Sequence, residues 1–386
     1  MSKAGHNVEI ITSSKIHNTN INLIKGDEFS KKISFQDVCY TFLKCGDYSK
    51  NGIKRIFSFF EFAYKVRSYM KKGCEKGRPD IIYVSSPDLV SSVVALKLAH
   101  KYGIKTILEI RDLWPESLVQ YLRISRKNPI IQLLYKIEKY AYKIADRIIF
   151  TSEGAKDYIY DKKWDKIVSD EKIYYVNNGV DIKEFNDNIK NYEYKDDILD
   201  NNDIFKVVYT GSIRKVNNIM KLVEVAKTLQ DRAEDRIIIL IFGDGNEIDN
   251  IRNEIKKKNL KNIVLRGFVE KKYIPSILSK SNLNIVNVME SELSKYGCSW
   301  NKLFEYLASG KPVFSNERLK YDIINKNKAG YSKTINNSDE YADEIIKFLE
   351  MDKDLYLNYC NNAKNAARKY DYKYLANKIE CIMKGM

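Results

Sequence analysis

The residues best suited to chemistry gather in one window, Lys295–Val313. It reads as a loop, a short helix, a glycine stop and a buried strand. A helix N-terminus offers free N–H groups and the positive end of a dipole, a setting suited to a diphosphate. Ser299 or Asn301 can cap that end, and Lys302 and Leu303 open its first turn. The lysine adds a mobile cation. Glu305 follows Lys302 by three residues, so both share one helix face. A carboxylate there can accept hydrogen bonds from a vicinal diol such as ribose. The same letters also fit a capped helix with a surface Lys–Glu pair.

Three loops add to this window. Gly211, Arg214 and Lys215 follow the apolar run Val207–Thr210. Gly243-Asp244-Gly245 follows Ile237–Phe242, and Arg266-Gly267 ends Ile263–Arg266. Glycine after a strand lets a ligand approach the backbone, although turns use glycine everywhere. Together the loops make a nucleotide pocket plausible. Earlier in the chain, Glu109-Ile110-Arg111-Asp112-Leu113-Trp114-Pro115-Glu116 packs acids, a base and an aromatic after Thr106–Glu109. Arg111 and Asp112 there suit an acceptor hydroxyl or a sugar. A proline-terminated turn with local ion pairs fits equally well. Val176-Asn177-Asn178-Gly179-Val180-Asp181 is a turn signal that can be structural only.

These segments need strands to present them. Val/Ile-rich runs at Val8–Thr12, Ile81–Val84, Thr106–Glu109, Ile148–Thr151 and Ile173–Val176 suit strands covered on both faces. A second series comprises Val207–Thr210, Ile237–Phe242, Ile263–Arg266, Leu283–Val288 and Pro312–Phe314. Helical periods lie between them at Leu89–Tyr102, Pro129–Ala145, Asn218–Leu229, Glu247–Lys258 and Lys302–Ser309. The alternation predicts parallel sheets with right-handed crossovers. Polar Asn186–Asp203 reads as a linker. The expected fold is α/β, with two doubly wound Rossmann-like domains facing a cleft. They span 1–187 and 204–369, and 370–386 is a further helical pattern with no strand after it.

A chain of 386 residues with 44% apolar letters is long enough for two cores, and 30% charged residues with few Gly and Pro argue against a linker protein. No run of eighteen apolar residues occurs, and Met1–His6 leads straight into Val8–Thr12, so a leader is not expected. Six scattered cysteines without a C-x-x-C pair read as reduced cytosolic thiols. Only three histidines are present, which argues against His-based metal chemistry. Asp352-Lys353-Asp354 has the letters of a D-x-D metal signature but sits in a helical pattern. No P-loop, G-x-S-x-G or G-x-G-x-x-G occurs.

Charge is uneven. Residues 1–150 carry 26 Lys/Arg against 14 Asp/Glu, and the rest 40 against 37. A basic front half fits an anionic partner, and it also fits a solvated Lys-rich surface. The basic aromatic stretches Ile53–Lys72 and Arg123–Arg147 suit either anionic lipid or the face of a sheet.

Taken together, the segments resemble glycosyltransferase family 4, retaining enzymes with the GT-B fold, in the form found in bacterial surface-polysaccharide transferases. The motifs that carry the likeness are Arg111–Glu116, Val176–Asp181, Gly243–Gly245, Arg266–Val269 and Ser299–Val313. The resemblance implies a UDP- or GDP-sugar donor in the C-terminal domain, no metal, no separate cofactor and no nucleic acid. It implies a polysaccharide or lipid-linked acceptor on the N-terminal domain. The place would be the cytoplasm, with contact to the inner membrane face. Glu305 matches the second Glu of the family's E-x7-E motif. The donor candidates are Gly211, Arg214, Lys215, Gly243, Asp244, Gly245, Arg266, Gly267, Ser299, Asn301, Lys302, Leu303 and Glu305. Arg111, Asp112 and Lys302 are the catalytic candidates.

Three departures stand out. The first Glu of the motif falls on Gly297. The family's Arg and Lys after the first strand of domain two fall on Ser212 and Asn217. The family also opens with a strand, a Gly-rich loop and a helix before the segment resembling Lys3–Thr12. The N-terminal domain is therefore expected to be incomplete, with Val8–Thr12 and Ile81–Val84 each short of a ladder partner. The alternatives are a truncated or non-catalytic nucleotide-binding member, or a nucleotide-sugar epimerase of the same fold.

Overall fold

A computed structural model describes the chain apart from His17, Asn18, Asn20, Gln36 and residues 48–52, and describes residues 53–56 by backbone alone. The chain divides into two compact units. The first is Met1–Thr151, Ala155–Val176 and Ala376–Met386; the second is Ser152–Gly154 and Asn177–Leu375.

The first unit carries β1 (Glu9–Ser13), β2 (Ser30–Phe35), β3 (Val38–Leu43), α1 (Ile53–Lys76), β4 (Ile81–Ser85) and α2 (Leu89–Lys101). β5 (Lys105–Ile110), α3 (Glu116–Leu122), α4 (Pro129–Ile144), β6 (Arg147–Phe150), α5 (Ala155–Asp161) and β7 (Ile173–Tyr175) follow. β4-β5-β6-β7 form a parallel sheet. β1-β3-β2 form a separate sheet in which β1 runs parallel to β3 and β2 antiparallel. Among the described residues β1 and β4 each have one unpaired edge. Yet Ile11 of β1, Leu43 of β3 and Ile82 and Val84 of β4 share one apolar cluster with Val66 and Met70 of α1 and Ala95 and Leu98 of α2. On the opposite face of the small sheet, Ile10, Tyr40 and Ile33 lie in one row, and Ile10, Ile33 and Phe35 stay exposed.

The β2–β3 hairpin was not foreseen. Ser30-Lys31-Lys32-Ile33-Ser34-Phe35 is an edge strand, and its lysines mask the period of two.

The second unit carries α6 (Ile182–Asn191), β8 (Phe205–Thr210), α7 (Ile219–Asp231), β9 (Ile237–Phe242), α8 (Ile248–Lys257), β10 (Ile263–Gly267) and α9 (Ile274–Ser279). Then come β11 (Leu283–Val286), α10 (Asn301–Ser309), β12 (Val313–Ser315), α11 (Ile323–Asn327), β13 (Gly330–Ser332), α12 (Ser338–Leu349), α13 (Lys353–Lys369) and α14 (Tyr372–Lys384). From Ala376 onward α14 belongs to the first unit. The six strands are parallel in the order β10-β9-β8-β11-β12-β13. β8 is buried along its whole length, with Val207 and Tyr209 facing one core and Val208 the other. The strand order reverses at β8, and ligands of such sheets sit at the carboxyl ends beside that switch point.

Part of the expected linker Asn186–Asp203 is helix instead. The apolar positions Ile182, Phe185 and Ile189 give α6 its period, and reading from Asn186 misses the first two. Leu199 is buried farther along.

A carboxyl group is enclosed in the first unit. Glu138 of α4 accepts from the Tyr142 hydroxyl at 2.8 Å and from the Tyr158 hydroxyl at 3.0 Å. Burial pushes its carboxyl up to about 8, against the opposing bonds from the two tyrosines. The folded state thus keeps a proton that the unfolded chain loses above about pH 4.5. Stability from this group is full below that pH and falls as pH rises towards 8, by on the order of 4 kcal/mol in total. Glu138→Gln keeps an acceptor without the titration. Its stability relative to the parent should grow by about 1 kcal/mol per pH unit between pH 5 and 8 in urea titrations.

Candidate donor site

The carboxyl ends of β8, β9 and β10 are locked together by backbone. Gly211 N–H donates to Phe242 O at 2.9 Å, Ile213 N–H to Asp244 O at 2.8 Å, and Gly243 N–H to Gly267 O at 2.7 Å. No side chain fits between these turns. A Cβ on Gly243 would lie 1.7 Å from Gly211 O, and one on Gly245 would lie 2.2 Å from Ile213 O. Gly211 and Gly243 also have φ of 140° and 151°. The exposed Asp244 carboxylate accepts from Gly245 N–H at 2.7 Å within its own turn.

α10 starts beside this nest. Its N-cap is Trp300, which has no side-chain cap, so the expected cap from Ser299 or Asn301 is not made. The Ser299 hydroxyl instead accepts from Asn178 N–H at 2.9 Å, and Ser299 O accepts from Asn178 Nδ2 at 2.8 Å. Asn301 is exposed and already helical. The first N–H groups of α10 therefore carry no side-chain acceptor. Leu303 is buried in the core with Phe304 and Leu307, so only its backbone remains for a ligand.

Lys302 lies on the second residue of α10 and reaches back over the β8 turn. Its ammonium donates to the Tyr209 hydroxyl at 2.7 Å and lies 4.0 Å from the centre of that ring. It would stand 3.0 Å from a Cβ on Gly211. The residue as a whole is half-buried, but its amine is enclosed. Burial pulls its pKa down to about 7. Among the described residues no carboxylate pairs with it. Glu305, one turn along, faces Lys271 at 3.9 Å, and burial pushes its carboxyl up against the pull of Lys271.

The other candidates fall elsewhere. Arg214 and Lys215 are exposed on the β8 loop. Ser212 and Asn217 form a neutral pair, with Asn217 Nδ2 donating to Ser212 O at 2.8 Å and to its hydroxyl at 3.0 Å. Arg266 Nε lies 2.7 Å from the Asp196 carboxylate, which ties it to the segment after α6. Gly297 has φ of 78° and carries no carboxylate. In Val176–Asp181, Asn178 holds Ser299, Val180 N–H donates to Tyr370 O at 3.0 Å, and Asp181 caps α6. That turn does structural work.

Arg111 and Asp112 belong to the first unit, at the carboxyl end of β5. Arg111 N–H donates to the Ser86 hydroxyl at 3.1 Å, and Arg111 O accepts from the Thr151 hydroxyl at 3.0 Å. Asp112 reaches solvent, yet the protein around it pushes its carboxyl up, opposed by Arg111. Nearby Glu116 is a structural anchor. Burial would raise its carboxyl, but Lys162, Tyr135 and Arg126 hold it down at about 2.

Tyr209 and Asn287 were missed from sequence. Tyr209 donates to Ser212 O at 2.9 Å while accepting from Lys302. Asn287 is buried and donates to Asn217 O at 2.8 Å and Asn218 O at 2.7 Å, fixing the β8 loop. The available signal was a polar letter inside or closing an apolar run, which is costly unless bonded.

Two family profiles divide the chain between them. One, described as Glycosyl transferases group 1, matches residues 190–370; the other, Glycosyltransferase Family 4, matches residues 1–184. The chain belongs to the group 1/family 4 type of GT-B glycosyltransferases. Among curated proteins it is 27% identical over 146 residues to soyasapogenol B glucuronide galactosyltransferase of Glycine max. That match spans 36% of this chain and 28% of the relative.

Solved structures share the fold. Sucrose-phosphate synthase of Thermosynechococcus elongatus superposes with a TM-score of 0.74 at 16% identity, covering 100% of this chain and 90% of the other. Anabaena HepE in complex with UDP gives 0.66 at 15%, covering 84% and 82%. An E. coli trehalose-6-phosphate protein bound with UDP-2-fluoro glucose gives 0.71 at 10%, covering 98% and 99%.

The nested turns make a sharp prediction. Gly243→Ala should lower unfolding free energy by roughly 3 kcal/mol or more, because backbone must move to admit the methyl. Gly73→Ala, in open space on α1, should cost nothing by the same denaturation assay.

Proposed function

We propose that this chain transfers a glycosyl group, with retention, from a nucleoside diphosphate sugar to a polysaccharide or lipid-linked acceptor. The observation that carries this reading is the enclosed Lys302 amine at an uncapped helix start, beside the switch point of a parallel sheet. The diphosphate would sit against the α10 N–H groups, the Gly211 turn and Lys302. The Glu305 carboxylate would take the ribose diol. As the anomeric C–O bond breaks, charge gathers on the departing diphosphate. Donors fixed there beforehand stabilise it more than water would. Arg111 and Asp112, in the first unit, would address the acceptor. UDP-glucose is the natural donor to try first, since solved relatives carry UDP or a UDP-sugar.

An acceptor at a lipid surface finds support in α1. Phe57, Phe60 and Tyr64 are 67%, 57% and 71% exposed and share one helix face at spacings of three and four. They lie in the basic half of the chain. Vesicles rich in phosphatidylglycerol should co-sediment the protein, and serine at all three positions should abolish that; equal retention would remove the lipid reading.

The donor assignment is tested by calorimetry with UDP-glucose. Lys302→Met and Glu305→Ala should each weaken binding by about 10- to 100-fold, the worth of a bond to a charged group. Unchanged binding in a folded variant would overturn the site. Transfer of labelled glucose separates an enzyme from a non-catalytic binder, which would bind without turnover. Product analysis without acceptor separates it from an epimerase.

A further inference from the structure

Lys302 poses an electrostatic problem. Every lysine buried with its charge needs an anion or several acceptors nearby. Among the described residues, Lys302 has one hydroxyl and one ring face. The Tyr209 phenol is no counter-anion: burial drives its pKa far up, and its own proton is committed to Ser212 O. The ammonium would also lie at the positive end of α10, which disfavours a cation.

Among the described residues, no charged group on the elements that meet here pairs with the Lys302 amine. From β8 come Tyr209 and the Thr210 backbone, the latter bonded to the Tyr306 hydroxyl. From the β8 loop come Ser212, bonded to Asn217, and the exposed cations Arg214 and Lys215. From the β9 loop comes Asp244, which is exposed and accepts from Gly245 N–H, with no ion pair to Lys302 among the described residues. From the β10 side, Arg266 pairs with Asp196 and Lys271 faces Glu305. From the segment before α10, the Lys295 ammonium lies 4.8 Å from the Tyr296 ring centre. On α10 itself, Glu305 points to Lys271.

We propose that Lys302 is a cation made on demand: on the alkaline side of neutrality its amine is largely unprotonated in the free protein and takes up a proton from solvent as the diphosphate of a donor arrives. The inference rests on the donor-site reading above and specifies how that site is charged. No covalent bond changes; one proton moves from buffer to amine on binding and returns on release. The geometry that supports a neutral amine is one hydroxyl and one ring face with no carboxylate paired to it among the described residues, and burial lowers the lysine's pKa to about 7. A diphosphate diester supplies the missing anion and restores an ordinary ammonium. The site thereby discriminates against neutral sugars, which cannot trigger the charge.

UDP-glucose is the right probe because its diphosphate does not titrate near neutrality. Binding should be measured calorimetrically in zwitterionic sulfonate buffers and in Tris-type amine buffers, whose ionisation enthalpies differ, from pH 6 to pH 9. Proton uptake should be near zero at pH 6 and close to one per site at pH 8. Affinity should fall about tenfold per pH unit above 7. Lys302→Arg keeps a permanent charge and should bind without proton uptake, with a flat pH profile. Lys302→Met should bind weakly and also without uptake.

A ligand-free measurement separates the two ways of failing. Isotope-labelled lysine followed by NMR should show a Lys302 resonance, assigned by its loss in Lys302→Arg, titrating near pH 7. A midpoint near 10 overturns the proposal and leaves the donor site standing. A midpoint near 7 with UDP-glucose binding but no uptake at pH 8 also overturns it alone. A midpoint near 7 with no UDP-glucose binding overturns both.

Discussion

Gly243 sits where two strand ends meet so closely that a single methyl group would collide with a neighbouring carbonyl. Its N–H reaches the β10 turn, its Cα faces the β8 turn, and the loop from Gly245 to Glu247 closes onto Ile213. Everything proposed for the second unit depends on that backbone contact. It brings the turns of three strands into one wall, and the wall sets the place of Gly211. Gly211 in turn leaves room for the Lys302 side chain to lie across it. A wall made of main chain does not relax as side chains do, so a ligand here meets fixed dipoles. Preorganised dipoles of that kind are what electrostatic stabilisation requires.

Much of the second unit was legible because its signals are redundant. β9 and β10 are both-face apolar runs closed by glycine, and α8 and α10 show their period plainly. The clustering of Gly211, Gly243, Gly245 and Gly267 could be read from their place after strands. The partners of the charged residues could not. Arg266 looks like a ligand group in the sequence, but a buried acid seventy residues earlier holds it. Ser299 looks like a cap, but Asn178 uses its hydroxyl. Such choices depend on what lies across the fold, and spacing along the chain does not carry that information. Lys302 is the opposite case: nothing in its letter or neighbours announces that its end would be enclosed beside a phenol.

The neutral Ser212–Asn217 pair sharpens the role left to Lys302. Where the resembling family places two cations after the first strand of this domain, the loop here is bonded to itself and pinned from below by Asn287. Arg214 and Lys215 lie out in solvent, where an exposed charge acts weakly. A charge in a less polar surrounding acts more strongly than an exposed one, which is the part proposed above for Lys302.

The small β1–β3–β2 sheet of the first unit combines an unpaired edge with an exposed apolar row, among the described residues. It shares a core with β4 under α1 and α2, yet among the described residues β1 and β4 each keep one unpaired rim, and Ile10 and Ile33 are exposed on either side of Tyr40. An open rim is a template that another polypeptide can zip onto, and a greasy row beside it makes the docking more adhesive. An exposed apolar row beside an unpaired edge is therefore where copies of the chain would adhere to one another in crowded preparations. A polar graft along Ile33 and Phe35 would be the place to start in making the protein easier to handle.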